Sequence, residues 1–504
     1  MKRARAALCV GIAIFQAACS VESLNQHPAK GISDLSVVAS LKPNLNFQVV
    51  VVDELGKGVS GATVQLGVRP GVPFSGNVLK TDARGMVEAG AAELWARDWN
   101  EIPVTVEAPG FIRSTVYGIS REENRIVLSR ARSMGKTELI GKTTGYGRLS
   151  SNGTLDVSLV FPSVLEKDLG RLELTSLIGA GVDRVSVYGQ DLELPENLSV
   201  PQQTETFMGF IPVTLDKLQY RVRFPFEGDL GVSAVRAQFD FKKTVGDLRD
   251  GKSFFDIINR FQFRSMATRN LALKPGVQAI DLPIDETKLV PKIAVLGAGI
   301  PKGYAMIAIA AQGKGGRFSV SDVKRLLPGE KQTLMTVDRP SAAIDTVRVV
   351  RSLKKYQPSR TDFSGYDYEE MSSVVSPMTF SPATASAPTV QFLEFLKPVT
   401  TSGGSVHLDA PTAAGGVTIV KGRLLLSAVK PVSSGSLWLV EKAPIWEFRF
   451  RGARSRIDLP SFGSDPWASK GRYRWEHEYV GHDVVAPSNE LTHHVRTAVD
   501  FVVQ

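Results

Sequence analysis

Cysteine is nearly absent from this chain of 504 residues, which contains only Cys9 and Cys19. Both lie within the first 19 residues, so no disulfide can form within the remainder of the chain. A small scaffold held together by disulfides is therefore excluded, and hydrophobic cores must supply the stability. The remainder is long enough for about three or four domains of ordinary size.

A long uninterrupted hydrophobic run is also missing. The apolar stretch from Ile293 to Gln312 carries three glycines, Pro301 and Lys302 near its middle, which is unsuitable for a membrane-spanning helix. Its Gly297-Ala-Gly299 turn superficially matches a dinucleotide-binding fingerprint, but Pro301 stands where the phosphate-binding helix would propagate. We predict two short strands joined by a hairpin turn.

Positive charge is present without being concentrated. The formal charge is +9, and Lys2, Arg3 and Arg5 account for part of it. The other basic residues are scattered, which argues against a nucleic-acid partner. The mild excess suits contact with anionic lipid, lipopolysaccharide or peptidoglycan.

Catalytic signatures are lacking as well. No G-x-S-x-G elbow, P-loop, C-x-x-C pair or convincing nucleophile and base set occurs, and no cofactor is predicted. This weakens an enzymatic interpretation without excluding it. His477-Glu478 and His482 are spaced one residue too far apart for the zinc-peptidase pattern, and the sequence around them alternates like a strand. A different metal site remains an alternative to exposed polar positions, with four candidate ligands: His477, His482, His493 and His494.

The N-terminal residues have the pattern of an export signal. A basic start precedes the apolar run from Ala6 to Phe15, which is too short to cross a bilayer as a helix. We assign residues 1–18 to a signal peptide.

The signal ends in Gln16-Ala17-Ala18-Cys19, which resembles the lipobox of bacterial lipoproteins. Gln16 departs from the aliphatic residue usual in that family, and ordinary signal-peptide cleavage is the alternative. The resemblance implies that Cys19 is lipidated, palmitate being a suitable acyl group, and becomes the mature N-terminus. Ser20 in place of Asp implies the outer membrane. More than one acyl chain gives stable attachment.

Residues 19–44 are polar and irregular, which indicates a tether. Residues 45–128 then alternate strand-like runs with turns, and three stretches resemble the carboxypeptidase regulatory-like and bacterial Ig-like domains: Gly58-Val-Ser-Gly61-Ala-Thr-Val64, Thr81-Asp82-Ala-Arg-Gly85 and Ala108-Pro-Gly-Phe111. The resemblance implies a β-sandwich that serves as a spacer, accessory module or adhesive unit. Gly61 and Gly85 suit positive φ, and Asp82 can cap its own turn.

Further strand-like runs fill residues 140–356, a β-rich middle region of one or two domains, with a helical interlude from Thr244 to Phe261. Residues 357–388, rich in Ser, Pro and Thr, indicate a linker or long loop. Residues 389–504, beginning with the run TVQFLEFL, read as a C-terminal β-sandwich. Its aromatic residues, including Trp438, Trp446, Trp467 and Trp475, are assigned to the core, with a platform for sugar rings as the alternative.

We therefore predict a mainly β chain of several antiparallel β-sandwich (Ig-like) domains with minor helix. The expected function is that of an exported, lipid-anchored protein of the bacterial cell envelope, with a binding, adhesive or structural role. Its expected partners are the membrane, through the N-terminal lipid, and an envelope protein or a glycan ligand. The alternative is a surface or periplasmic hydrolase with an Ig-like accessory domain.

Overall fold

The computed structural model shows a mainly β chain, as the sequence predicts, with antiparallel pairing between most neighbouring strands. The structure describes the following residues: 46–53, 56–68, 78–90, 102–119, 123–131, 137–144, 154–165, 169–171, 181–187, 190–199, 205–208, 211–214, 219–224, 228–250, 254–284, 292–297, 299–314, 317–337, 346–355, 368–378, 390–412, 415–431, 440–462, 469–483 and 491–503. The signal, Cys19 and the tether lie outside these residues.

The first region is a two-sheet sandwich. Its strands are β1 (Asn46–Asp53), β2 (Thr63–Leu66), β3 (Val78–Lys80), β4 (Met86–Gly90), β5 (Val104–Glu107), β6 (Arg113–Val116) and β7 (Glu123–Leu128). One sheet has the order β4-β1-β7, and the other runs β3-β2-β5-β6. Alternating valines of β1, β2 and β5 fill the space between them, including Val51, Val64 and Val106. This packing is why the strands of the region are rich in β-branched residues.

The turns of this sandwich have the chemistry expected from the sequence. Gly61 and Gly85 have φ of 70° and 78°, a conformation that favours glycine. Asp82 Oδ1 accepts hydrogen bonds from the backbone N–H groups of Arg84 and Met86, both at 2.8 Å. Thr81 Oγ1 accepts from Ala62 N at 2.9 Å, which ties this turn to the start of β2. Short hydrogen bonds thus stabilise the turns between the strands, and the valines fill the core.

The middle region is layered. Its strands are β8 (Thr137–Gly141), β9 (Thr143–Thr144), β10 (Thr154–Pro162), β11 (Val164–Leu165), β12 (Val182–Val187), β13 (Gln190–Pro195), β14 (Leu198–Ser199), β15 (Glu205–Met208), β16 (Ile211–Thr214), β17 (Tyr220–Phe224), β18 (Gly228–Asp240), β19 (Gln262–Leu273), β20 (Gly276–Ala279), β21 (Leu282–Pro283), β22 (Lys292–Leu296), β23 (Tyr304–Lys314), β24 (Arg317–Leu326), β25 (Gln332–Thr336), β26 (Thr346–Lys355) and β27 (Tyr368–Met378).

Four sheets of this region stack with an apolar layer between each pair. Sheet β17-β8-β20 packs on sheet β14-β10-β18-β19, which packs in turn on strands β24, β23, β26 and β27. The hairpin-like pair β22 and β25 covers the far side of those strands. The inner sheets are buried on both faces, so strands such as β23 are apolar at nearly every position rather than alternating.

The predicted helix is present but interrupted. α1 spans Phe241–Arg249, α2 spans Phe254–Ile257, and a 3₁₀ turn follows at Ile258–Arg260. Asp240 Oδ1 accepts a hydrogen bond from Lys243 N at 2.9 Å and caps the start of α1. Gly251, a poor helix former, lies in the sequence between the two pieces.

The predicted hairpin turn around Gly299 is wrong, although the two strands beside it are present. β22 pairs with β25, whereas β23 pairs with β24 and β26, so the two strands belong to different sheets. Their apolar side chains face each other across a shared core. The connection therefore leads from one packed layer to the next. Gly299 has a φ of 81°, a conformation that favours glycine in this connection as it would in a hairpin turn.

The predicted linker over 357–388 is also wrong in its centre, because 368–378 forms β27. Ser372 and Ser373 are fully buried there, and their small size lets neighbouring layers approach closely. Ser372 Oγ donates to Leu393 O at 2.8 Å, and Ser373 shares a hydrogen bond of 2.9 Å with Ser352. The serines that suggest a linker are paired groups inside the protein. Residues 357–367 and 379–388 lie outside the described residues.

The C-terminal region is a second two-sheet sandwich. Its strands are β28 (Thr400–Ser402), β29 (Ser405–His407), β30 (Val417–Pro431), β31 (Val440–Arg451), β32 (Arg456–Asp458), β33 (Gly471–Asp483) and β34 (Thr492–Val503). The small sheet β28-β29-β32 covers one face of β34, β33, β30 and β31. Trp446 and Trp475 are buried in this core, as the core interpretation predicts, whereas Trp438 and Trp467 lie outside the described residues.

All three regions share one 13-stranded sheet. Its order is β11-β24-β23-β26-β27-β34-β33-β30-β31-β6-β5-β2-β3. The middle region joins the C-terminal region where β27 pairs with β34 over eight residue pairs, and the first region joins where β6 lies parallel to β31. Backbone hydrogen bonds therefore connect the regions.

The segment at 390–399 has no regular secondary structure and joins no sheet, in contrast to the predicted strand TVQFLEFL. Leu393, Leu396 and Val399 enter the C-terminal core, while Phe392 and Phe395 pack against the middle core beside β22. The segment therefore serves two cores with side chains on opposite sides. Contact with two cores explains why the sequence of this segment is as apolar as that of a strand, although the segment pairs with no strand.

We expect Leu396→Ala to lower the free energy of unfolding by about 2–5 kcal/mol, because Leu396 is 1% exposed and truncation leaves a cavity. Denaturant unfolding measures the change. Glu394→Ala, at an exposed position two residues away, should stay within about 0.5 kcal/mol of the wild type. Equal effects from the two variants would contradict the role given to this segment.

Candidate functional site

The four histidines singled out in the sequence lie on neighbouring strands but on opposite faces. The register of β33 and β34 places His477 and His493 on the face toward the aromatic core, and His482 and His494 on the other face. Along the first face, four residues separate the rows of His477 and His493, which is about 13 Å of strand. Among the described residues, no group of three or more His, Cys, Asp or Glu side chains is placed to bind a metal ion.

His477 is a core histidine. Its ring lies 4.6 Å from that of Tyr479 and 6.5 Å from that of Phe450, and neither ring nitrogen has a hydrogen-bond partner. Burial lowers the pKa of His477 to about 3, against a smaller opposing effect of the Glu478 carboxylate. The imidazole is therefore neutral at physiological pH.

This burial predicts acid sensitivity. In the unfolded chain His477 binds a proton below about pH 6.5, whereas in the folded protein it does so only near pH 3. Between these two pH values protonation favours the unfolded chain. The free energy of unfolding is therefore highest above pH 6.5 and falls as the pH drops from 6.5 towards 3. One such group contributes a slope of about 1.4 kcal/mol per pH unit. We expect His477→Leu to lose that slope between pH 6.5 and 5, in denaturant unfolding followed by tryptophan fluorescence. An unchanged slope would contradict this account.

The opposite face of the same sheet carries a compact charged group, which we call the arginine–glutamate cluster: Arg171, Arg423, Glu447, Arg449 and Glu478. Arg423 lies directly opposite Glu478 on β33 and Arg449 on β31, so strand pairing places these side chains on one face. Arg171 comes from the middle region, where the preceding Gly170 packs against the His494 ring. A Cβ at Gly170 would lie 2.1 Å from that ring, so this approach requires glycine.

The two carboxylates hold the three guanidinium groups in place. Glu447 accepts from Arg423 Nε at 2.6 Å and from Arg449 Nε at 2.9 Å. Glu478 accepts from Arg171 Nε through both carboxylate oxygens, at 2.7 and 3.0 Å. Charge-assisted bonds of this length fix the direction of each guanidinium plane.

Electrostatics favours the ionised form of both acids. Burial alone would raise the pKa of Glu447, but the charges of Arg449 and Arg423 hold it well below its usual range. Burial also raises the pKa of Glu478, but the charge of Arg171 and the hydrogen bond from His494 lower this pKa by more than burial raises it. Both glutamates are therefore carboxylates at neutral pH, and the site carries fixed charges of both signs.

Two further cations lie at the exposed end of this face. Lys421 and Arg451 are exposed and directly opposite each other, one row beyond Arg423 and Arg449. No ion-pair partner of Arg451 is found in the part of the chain that the structure describes. The cluster is thus a network of ion pairs between two carboxylates and three guanidinium groups, and Lys421 and Arg451 lie one row beyond it.

Sequence inspection did not find this site. Arg171 and Glu478 are 307 residues apart, and their pairing depends on how the middle and C-terminal regions pack. Alternation of charged and aromatic residues along β31 and β33 was the available signal, since it gives each strand one aromatic and one charged face.

Comparison with known proteins gives weak matches. No protein-family model and no curated protein matches the chain. Among solved structures, the Bacillus anthracis TIE protein matches at 10% identity and a TM-score of 0.15, covering 62% of this chain and 45% of that one. GBS52, the minor pilin of Streptococcus agalactiae, matches at 11% identity and a TM-score of 0.14, covering 49% of this chain and 99% of that one. BcpA, the major pilin subunit of Bacillus cereus, matches at 9% identity and a TM-score of 0.15, covering 68% of this chain and 97% of that one.

These TM-scores are far below those of proteins that share a global fold, so we argue the function from this chain's own residues. In the described part of the chain, no helix is long and apolar enough to cross a membrane.

Proposed function

We propose that this chain is an exported, lipid-anchored protein of the bacterial cell envelope, with a structural or adhesive role. The observation that carries the proposal is the 13-stranded sheet that runs through all three regions. Regions joined by ladders of backbone hydrogen bonds resist rotation against one another, which suits a protein that bears load or displays a binding surface at a fixed angle. The pilin matches in themselves add no weight to this argument.

The anchor rests on the sequence at Cys19. The lipobox-like residues before it and the polar residues 19–44 after it support a lipidated N-terminus followed by a tether. About 26 tether residues can extend over roughly 86 Å, which is enough to hold the sandwich regions clear of a membrane surface. Ser20 supports placement in the outer membrane, and the membrane is then the first partner of the protein.

Metabolic labelling with an alkyne fatty acid tests the anchor. We expect the wild type to take up the label and Cys19→Ala to lose it entirely, because no other cysteine can become an acylated mature N-terminus at this site. Cys9→Ala, which lies within the signal, is the matched control and should retain the label. An unlabelled wild type would exclude lipid anchoring.

Cell fractionation combined with proteolysis of intact cells tests the role. A membrane-bound, protease-accessible protein supports adhesion or a surface coat, whereas a membrane-bound, protected protein supports an internal structural element of the envelope. Recovery in a soluble fraction with the signal removed would contradict the proposal in either form. An antibody to the C-terminal sandwich reports on the region that carries the charged site.

A further inference from the structure

We propose that the free edge of β19 is a docking site for an extended, acidic segment of another protein, which joins the sheet as a further strand. β19 is the last strand of the sheet β14-β10-β18-β19 and pairs only with β18. It has 12 residues, which is about 40 Å of strand. The proposal rests on the structural or adhesive role for its meaning in the cell, but its chemistry is independent of the lipid anchor at Cys19.

The outward backbone groups of β19 have no partner in the part of the chain that the structure describes. The ladder with β18 runs from Gln262 to Leu273, and no further hydrogen bond involves the backbone of these residues. About half of the N–H and C=O groups of an edge strand point away from its neighbour. β19 therefore presents a row of donors and acceptors to a strand that arrives from outside.

Two other strand edges of this molecule are capped by side chains. Asn259 covers the edge of β24, where its amide accepts from Arg325 N and donates to Arg325 O, both at 2.7 Å. At β7, Arg449 Nη1 donates to Val127 O at 3.1 Å. β19 is longer than either strand and has no such cap among the described residues.

A strand added at this edge continues two apolar layers. Phe263 and Met266 of β19 belong to the core that is shared with β23 and β24. Leu271 belongs to the core between β18 and β17, and Ala267 packs against it. Alternate side chains of a docked strand would lie beside one layer or the other. This contact adds to the affinity that the backbone hydrogen bonds supply in strand addition.

The sequence around β19 is basic. No Asp or Glu occurs between Asp256 and Asp281, whereas four basic residues do: Arg260, Arg264, Arg269 and Lys274. Arg260 is paired with Asp247. The other three are exposed and lie on β19 or directly after it.

The two arginines of β19 have no carboxylate partner among the described side chains. Arg264 Nη2 donates to Gln238 Oε1 at 3.2 Å and also to Gln262. Arg269 Nη1 donates to the backbone O of Asp281 at 3.5 Å. Carboxylates on an added strand would form charge-assisted hydrogen bonds with these guanidinium groups. A second copy of β19 would bring only further cations, so charge opposes pairing between copies.

The same features protect the free protein from unspecific pairing. Arg264 is an extra residue in β19, because Arg236 pairs with Ser265 and Ala237 with Phe263. Bulges and charged side chains at an edge discourage the addition of an apolar strand. An acidic segment removes the charge penalty, so these residues select the partner by disfavouring the alternatives.

The test uses the full chain purified in a maltoside detergent, with a labelled peptide of twelve residues in which glutamate alternates with valine or threonine. Fluorescence anisotropy measures binding. We expect saturable binding of this acidic peptide, and at least about tenfold weaker binding of a peptide with lysine in place of each glutamate. The double variant Arg264→Glu, Arg269→Glu should bind the acidic peptide at least about tenfold more weakly than the wild type. Absence of binding to the wild type overturns the proposal.

Lys397→Glu, Lys430→Glu is the matched control, because it reverses two exposed charges in the C-terminal region. Its affinity for the acidic peptide should stay within about twofold of the wild type, since charges far from the contact are screened by salt. All four positions of the two double variants are exposed, so the thermal unfolding midpoints should be preserved. An equal loss of affinity in both double variants would show an effect of net charge and would overturn the site.

Two N-methylated forms of the acidic peptide test the backbone pairing. One form is methylated at odd positions and the other at even positions, and a docked strand turns only one of these sets of N–H groups toward β19. One form should therefore lose at least about tenfold in affinity while the other retains binding. Equal affinity of the two forms, whether high or low, would overturn strand addition.

Sedimentation velocity tests whether a second copy occupies the edge. We expect the wild type and the variant Arg264→Glu, Arg269→Glu to sediment alike. Self-association of the wild type that the variant loses would assign the edge to a second copy and would overturn the acidic partner. Cys19→Ala leaves β19 unchanged, so failure of the anchor and failure of the docking site are separate results.

Discussion

Glu478→Gln is expected to lower the free energy of unfolding by about 3–5 kcal/mol. The substitution keeps the shape of the side chain but removes the charge that neutralises Arg171 and receives the His494 hydrogen bond at 3.1 Å. Glu478 is 3% exposed, and removing one partner of a buried ion pair is strongly destabilising because the other charge loses its compensation. Urea unfolding of the purified protein measures the loss.

Two companion variants separate the buried charge from a general effect of removing an acid. Glu394→Gln removes a carboxylate at an exposed position, so the loss should stay below about 1 kcal/mol. The double variant Glu478→Gln, Arg171→Met should recover part of the loss, because it removes the uncompensated charge as well. A double variant less stable than the sum of the two single changes would contradict the electrostatic explanation.

Trp446→Ala is expected to cost a similar amount, about 3–5 kcal/mol, by opening a cavity in the C-terminal core. Trp446 is 1% exposed and stacks on Phe448 at a ring distance of 4.6 Å. It also reaches the first region, where its Nε1 donates to Thr115 Oγ1 at 2.9 Å and Arg113 lies 4.8 Å over its ring. Loss of this side chain therefore weakens the junction between β6 and β31 as well as the core.

Trp446→Phe is the control, since it keeps an aromatic ring and loses only the indole donor. We expect it to cost about 1–2 kcal/mol, because Thr115 then loses a buried partner. Limited proteolysis reports on the junction: the alanine variant should be cleaved between the first and middle regions sooner than the phenylalanine variant, because the first region is then held less firmly by β31. If the alanine variant loses stability but is cleaved no faster, Trp446 stabilises only the C-terminal core, and its role at the junction is contradicted.

The fold class could be predicted because its signals are local. Alternating valines in β1, β2 and β5, and glycines at turns such as Gly85, dictate strands and hairpins without reference to distant residues. The alternation of Trp446, Phe448 and Phe450 likewise predicted one aromatic core face correctly.

Pairing between distant strands could not be predicted in this way. The serines of β27 resemble linker residues until the layers that bury Ser372 and Ser373 are known. The turn at Gly299 looks the same in sequence whether it joins partners in one sheet or crosses between two. The arginine–glutamate cluster depends on Arg171 meeting strands far along the chain, so its chemistry has no local pattern.

The position of β34 has a consequence for the order of assembly. This strand, the last that the structure describes, inserts between β27 and β33 and pairs with both. Until its residues are synthesised, two long strands keep unpaired edges that can capture another chain. Premature termination within β34 should therefore yield aggregates in place of a slightly shortened product.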